Sequence, residues 1–193
     1  MAADDIFGSS KTIEWGTPDD VVNMLGAIYP IVLDVCATPG RQKRPFYFAP
    51  PDDLIGRYKE GKEWKTDEEF KAWAMAQKVA TPPLAVDGLA QDWAAILKQL
   101  GGCGWMNPPF GNEIKHWVRK AAETALAGGC VVTLLPSRTG TKWWHEWVEP
   151  VRTGQRAGAL DFWKGRIAFS DRNGADTVPA PFDVAIVVFG SVA

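Results

Sequence analysis

Five short apolar runs, parted by stretches of helical spacing, constrain this chain more than any other feature. They are Pro30–Cys36 (PIVLDVC), Leu84–Val86, Cys103–Met106, Cys130–Leu135 (CVVTLL) and Asp183–Phe189 (DVAIVVF). Each is too short for a stable helix, most are rich in β-branched residues, and the first four stop at a Pro, Gly or polar turn, which is how buried parallel strands read. Between them, Thr17-Pro18-Asp19-Asp20 has an N-cap and a Pro at the first helical position, and predicts a helix over Val21–Ile28. Further helices are predicted over Ala90–Leu100 and Thr141–Val148, and over Glu113–Ala127 with Ile114, Trp117, Val118, Ala121 and Ala125 on one stripe. Leu160–Trp163 and Arg166–Phe169 read as strands pairing around Lys164-Gly165. Strand–loop–helix repeated in this way predicts an α/β fold, a mostly parallel sheet with helices on both faces.

With 193 residues, 46% hydrophobic and 23% charged, the chain suits one domain over 1–193 with a real core. Residues 49–83 have Pro-Pro at both ends and dense alternating charge. They read as an insertion carrying one helix over 67–78, with Phe70, Trp73 and Ala74 on one face. A net charge of −2 argues against a general nucleic-acid coat protein, which needs a large cationic excess. No run is long enough to span a bilayer, and the start of the chain, with Asp4 and Asp5, lacks the basic-then-apolar pattern of a signal peptide. A cytoplasmic location is expected. Cys36, Cys103 and Cys130 lie in no CxxC pattern and are expected as buried thiols, with no metal site.

In open parallel sheets, ligands bind beyond the carboxyl ends of the strands. Those ends here read Asp34 with Cys36 and Ala37, Asp87-Gly88, Asn107-Pro108-Pro109-Phe110 and Pro136-Ser137-Arg138, a polar and aromatic rim. In Asn-Pro-Pro-Phe the two prolines fix their own φ and push Asn107 and Pro108 into extended backbone. The Asn107 amide oxygen and the Pro108 carbonyl can then face one point. Two acceptors suit a planar amino group with its two N–H donors, and Phe110 can stack on the attached ring. Alone, the segment also fits an ordinary turn into a helix, with Phe110 in the core.

It does not stand alone. Glu14-Trp15-Gly16-Thr17-Pro18, Leu33-Asp34-Val35-Cys36-Ala37, Asp87-Gly88-Leu89-Ala90-Gln91-Asp92-Trp93 and Trp105-Met106-Asn107-Pro108-Pro109-Phe110-Gly111 follow in order. After them come Leu134-Leu135-Pro136-Ser137-Arg138-Thr139 with Lys142-Trp143-Trp144-His145, then Lys164-Gly165-Arg166-Ile167-Ala168-Phe169, and Pro181-Phe182 to Phe189-Gly190. Together they resemble the phage and prophage DNA N-6-adenine methyltransferases, the phage Dam family. The resemblance spans most of residues 14–190. It implies a Rossmann-like class I methyltransferase using S-adenosylmethionine on adenine in DNA. It also implies catalytic roles for Asn107, Pro108, Pro109 and Phe110, and cofactor contacts from Trp15, Thr17, Pro18, Asp34, Cys36, Ala37, Asp87 and Asp92. The glycine-rich FxGxG segment of many amino-methyltransferases is absent. DVCATPG stands there instead, so the methionine part of the cofactor needs another holder.

Such transfer mainly needs donor carbon and acceptor nitrogen held in line, and requires no metal. Cytosine amino groups and protein glutamine amides fit the same pocket, and a non-catalytic nucleic-acid-binding relative stays open as another class. Residues 1–40 carry six acidic side chains against one Lys, residues 41–44 three cations, and residues 138–172 seven basic against four acidic. The near-neutral total therefore hides an acidic cofactor side and two basic segments, with Arg41, Lys43, Arg44, Arg138, Lys142, Lys164 and Arg166 as expected DNA contacts. Among ten Trp, Trp15, Trp93 and Trp105 fall inside the motifs. Trp143 and Trp144 fit either a stacking edge beside Arg138 and Lys142 or the core. His116 and His145 read as structural or surface residues.

Overall fold

The computed structural model describes residues 16–37, 41–49, 83–170 and 177–191. Its strands are β1 (Ile31–Asp34), β2 (Phe46–Ala49), β3 (Ala85–Val86), β4 (Cys103–Met106), β5 (Val131–Pro136), β6 (Gly158–Phe162), β7 (Ala168–Ser170), β8 (Thr177–Pro179) and β9 (Val184–Phe189). The helices are α1 (Asp19–Gly26), α2 (Trp93–Leu100), α3 (Ile114–Leu126) and α4 (Glu149–Arg152), with a 3-10 turn at Gly88–Ala90. A π-helical turn, Trp144–Val148, leads directly into α4.

Seven strands form one sheet in the order β3-β2-β1-β4-β5-β9-β6, and β7 pairs with β8 separately. All pairs from β3 to β5 are parallel, and β9 alone runs antiparallel to both its neighbours. The sheet is α/β and mostly parallel, as expected. Every residue of β4, β5 and β9 is buried, which is why these runs are apolar throughout rather than alternating. α2 packs on β1 and β4, α3 packs on β5 and β9, and the two helices touch, so they share a layer on one face. α3 turns Ile114, Trp117, Val118 and Ala121 to the core. α2 starts at Asp92, whose carboxylate accepts from Ala95 N at 3.1 Å, and stops at Gly101 with φ 70°.

Several expectations change. Helix α1 starts after Pro18, and Thr17 makes no side-chain cap; its hydroxyl is buried without a partner among the described residues. β2 follows the basic run, where Phe46–Ala49 is too short to give a periodic signal. β6 and β7 do not pair around Lys164-Gly165: β6 lies against β9 and β7 against β8, because the buried β9 offers β6 a full ladder. Cys103 and Cys130 are not separate thiols but form a disulfide. The β4–β5 register sets Gly104 beside Val131, which makes the two cysteines neighbours, a proximity that spacing along the chain cannot reveal. The expected insertion lies outside the described residues, apart from Ala49 and Pro83 at its ends.

Candidate functional site

The chain runs outward from β1 to β2 and β3, then returns to the other side of β1 with β4. This reversal makes a topological switch point at the carboxyl ends of β1 and β4, and open α/β sheets bind ligands in the crevice beyond such a point. Asp34 and Trp105 are register partners there. Asn107 lies two residues beyond Trp105, about 7 Å further along the strand direction.

Asp34 is only 4% exposed. Its carboxylate accepts from Lys43 N at 2.9 Å and Cys36 N at 3.3 Å, so it fastens the loop after β1 to the segment entering β2. Burial pushes its pKa from 3.8 up to about 6, against the pull of those two N–H groups and of the Lys43 and Arg44 charges. Lys43 Nζ in turn meets Asp19 on α1 at 2.7 Å.

The Asp87–Trp93 motif folds into a self-locked turn at the end of β3. Asp87 adopts φ 54°, the left-handed region that an Asp tolerates better than most residues. A Cβ on Gly88 would overlap the Val35 carbonyl, so glycine lets this turn touch the loop after β1. Gln91 Nε2 donates to Val86 O at 3.1 Å, and Trp93 Nε1 donates to Gly88 O at 2.5 Å. Trp93 is fully buried and Trp105 nearly so, which makes both supports of the site rather than contacts within it. Asp92 is exposed, and its carboxylate caps α2.

At the end of β4, Asn107 is half-buried with Oδ1 shielded from solvent, and Pro108 is buried. Among the described residues no donor takes the Pro108 carbonyl. Phe110 is 5% exposed and meets Phe169 of β7 edge-on at 6.2 Å and Phe182 at 5.5 Å. Each such ring pair contributes roughly 0.5–1.5 kcal/mol beyond its burial. Ser137, just past β5, donates its backbone N–H to Asp183 O at 2.8 Å, next to Phe182, while its hydroxyl is buried without a partner among the described residues. Gln42 Oε1, beside Lys43, is likewise buried and unpartnered. Gln42 and Ser170 carry no sequence signal that marks them for this rim; Ser137, Phe169 and Phe182 lie inside the sequence motifs, but that Phe169 and Phe182 meet Phe110 follows only from the fold.

The seven expected DNA contacts divide. Arg138, Lys142 and Lys164 are exposed and form no ion pair among the described residues. Arg44 instead donates to the carbonyls of Ile31, Lys43 and Val22, tying α1 to the sheet. Lys43 is held by Asp19, Arg41 by Ser170 Oγ at 2.9 Å, and Arg166 by Ala180 O at 2.9 Å with Asp183 at 3.7 Å. Trp143 and Trp144 are both buried, so they offer no stacking edge. His116 and His145 are exposed. Trp15 lies outside the described residues. Among those described, no group of His, Cys, Asp and Glu could hold a metal, and no helix is long and apolar enough to cross a membrane.

The family model for DNA N-6-adenine-methyltransferase (Dam) matches residues 74–191, from before β3 through β9. No curated protein matches the chain. Among solved structures, precorrin 8w decarboxylase from Methanobacterium thermoautotrophicum is similar at 12% identity, with 99% of this chain and 100% of that chain covered and a TM-score of 0.44. So slight a likeness carries no argument. The family match covers more than half of the chain and includes the Asp87 turn, the Asn107–Phe110 segment and the Ser137 corner. This chain therefore belongs to the DNA N-6-adenine-methyltransferase (Dam) family.

Proposed function

We propose that this chain transfers a methyl group from S-adenosylmethionine to the exocyclic amino group of adenine in DNA, on a Rossmann-like class I methyltransferase fold. The observation that carries the reading is the Asn107-Pro108 segment at the end of β4, two residues past Trp105, the register partner of Asp34, at the point where the strand order reverses. The order β3-β2-β1-β4-β5-β9-β6 supports that fold, since it differs from the 3-2-1-4-5-6 order of doubly wound dinucleotide-binding sheets by the antiparallel β9 between β5 and β6.

The crevice fits such a cofactor. Thr17 Oγ1, Gln42 Oε1 and Ser137 Oγ, on the segments that lead into α1 and β2 and out of β5, are buried without a partner among the described residues, and each costs about 1–3 kcal/mol unless a ligand supplies its bond. Thr17, Pro18 and the Asp34–Ala37 loop would hold the amino-acid side, and Asp87 the adenosine side. When bound, S-adenosylmethionine supplies a methyl group activated by its sulfonium. Asn107 Oδ1 and the Pro108 carbonyl would accept both N–H bonds of the target amine. That draws the nitrogen lone pair out of conjugation with the ring and stabilises positive charge as it develops. Half-buried Phe182 would face the base, backed by the buried Phe110 and Phe169. Extruding the base costs roughly a few kcal/mol, offset by about 1–3 kcal/mol of stacking. Arg138, Lys142 and Lys164 would track phosphates.

Incubation with labelled S-adenosylmethionine and DNA, followed by digestion to nucleosides, tests this. Label in N6-methyladenine is expected. No label, under conditions where a control enzyme works, or label in methylcytosine, overturns the reading.

A further inference from the structure

We propose that Arg41 and Ser170 form a clasp that joins the segment leading into α1 to the β7–β8 hairpin and so seats Phe169 against Phe110. Arg41 is then a positioning residue for the base pocket rather than a phosphate contact. The clasp takes its catalytic meaning from the proposed function, and its geometry from the hydrogen bonds of the fold.

Gly16 and Ser170 exchange two backbone bonds, Gly16 N to Ser170 O and Ser170 N to Gly16 O, both at 3.0 Å. The Ser170 hydroxyl donates to Gly16 O at 3.3 Å and accepts from Arg41 Nη2 at 2.9 Å. A Cβ on Gly16 would collide with the Ser170 hydroxyl and the Arg41 guanidinium, so the glycine is the cradle in which the clasp closes. Three distant parts of the chain thereby meet. One is the Gly16–Pro18 segment, whose Thr17 and Pro18 the proposed function assigns to the cofactor. The second is the loop that Asp34 fastens through Lys43 N. The third is β7, whose Phe169, adjacent to Ser170, is 1% exposed and packs edge-on to Phe110. Cofactor-side and base-side walls are thus one hydrogen-bonded unit, and loosening either end of the clasp loosens Phe169. A cation that reads DNA needs its N–H groups turned to phosphate oxygens, whereas Arg41 spends one on Ser170.

Arg41→Gln, Ser170→Ala and the double variant test this against wild type. Four readouts apply: amide exchange at Gly16 and Ser170, S-adenosylmethionine affinity by calorimetry, kcat and KM for DNA methylation, and the salt dependence of DNA binding. The clasp predicts faster exchange at Gly16 and Ser170 in both single variants. It predicts kcat/KM about tenfold lower in each, the size of one lost charge-assisted hydrogen bond. The double variant should be no worse than Ser170→Ala alone, because Ser170→Ala already breaks the Arg41 bond along with the hydroxyl's bond to Gly16 O. The slope of log K against log salt should be unchanged in Arg41→Gln. A slope shallower by about 1 would make Arg41 a phosphate contact and overturn the clasp. Impairment by Arg41→Gln but not by Ser170→Ala, or unchanged exchange at Gly16, overturns it as well. If wild type fails to methylate DNA, the proposed function falls, and amide exchange with the salt slope still decides the clasp.

Discussion

Replacing Asp34 by Asn tests the most unusual electrostatic feature of the molecule. Its carboxyl, 4% exposed at the end of β1, has a pKa raised from 3.8 to about 6 because burial outweighs two backbone N–H bonds and two nearby cations. In the unfolded chain the group ionises near 3.8, so between pH 4 and 6 the folded state binds the extra proton. By linkage, this group's contribution to stability falls as pH rises through that window. About two pKa units correspond to about 3 kcal/mol, nearly all of which is lost by pH 7. The amide introduced by Asp34→Asn does not titrate. The unfolding free energy of Asp34→Asn minus that of wild type should therefore rise by roughly 2–3 kcal/mol from pH 4 to pH 7, whatever the offset from losing one backbone bond. Other carboxylates cancel in the difference. Urea denaturation of both proteins at pH 4, 5, 6 and 7 measures it. A difference that is flat with pH, or that falls, would show a carboxyl titrating as an exposed one does and would refute the buried, loop-fastening role. With the Lys43 N–H or Cys36 N–H left without its acceptor, S-adenosylmethionine should also bind the variant more weakly at pH 7 by calorimetry.

Asn107→Ala should lower kcat for adenine methylation by about 10²–10³, the usual cost of one acceptor or donor aimed at transition-state charge, while calorimetry finds cofactor binding nearly unchanged. Loss of cofactor binding with the fold intact would contradict the division of roles between β1 and β4. Cys103 and Cys130 should stay unmodified when the purified, unreduced protein is alkylated in denaturant, and both should react after reduction; modification of either before reduction would contradict the bridge between β4 and β5.

The strands read best from sequence were those buried on both faces. β4 matches its apolar run residue for residue, β5 shifts by one and β9 only starts one residue later, because a strand covered by helices or neighbours leaves no polar position to blur its ends. Phe46–Ala49 was illegible as β2, since four residues behind a cationic run carry no period. The Asp87–Trp93 motif shows why a motif is more legible than its parts. Gly88, Gln91, Asp92 and Trp93 there hold the turn and the start of α2. Charge was the poorest guide. Arg44, one of a conspicuous basic cluster, donates its guanidinium to three backbone carbonyls, and nothing in its sequence context distinguishes it from exposed Arg138.

By itself, the sequence determined the α/β alternation, the placing of Asn107-Pro108-Pro109-Phe110 directly after a strand, and the family to which those motifs point. These are local properties: hydrophobic period, proline geometry and the order of short motifs. Only the tertiary structure decided which strands are neighbours, that β6 lies on β9 rather than on β7, that Cys103 meets Cys130, and that Arg41 closes on Ser170 across 129 positions of chain. Such pairings follow from the packing of the whole sheet, where burying β9 between β5 and β6 outweighs any preference its flanking turns express.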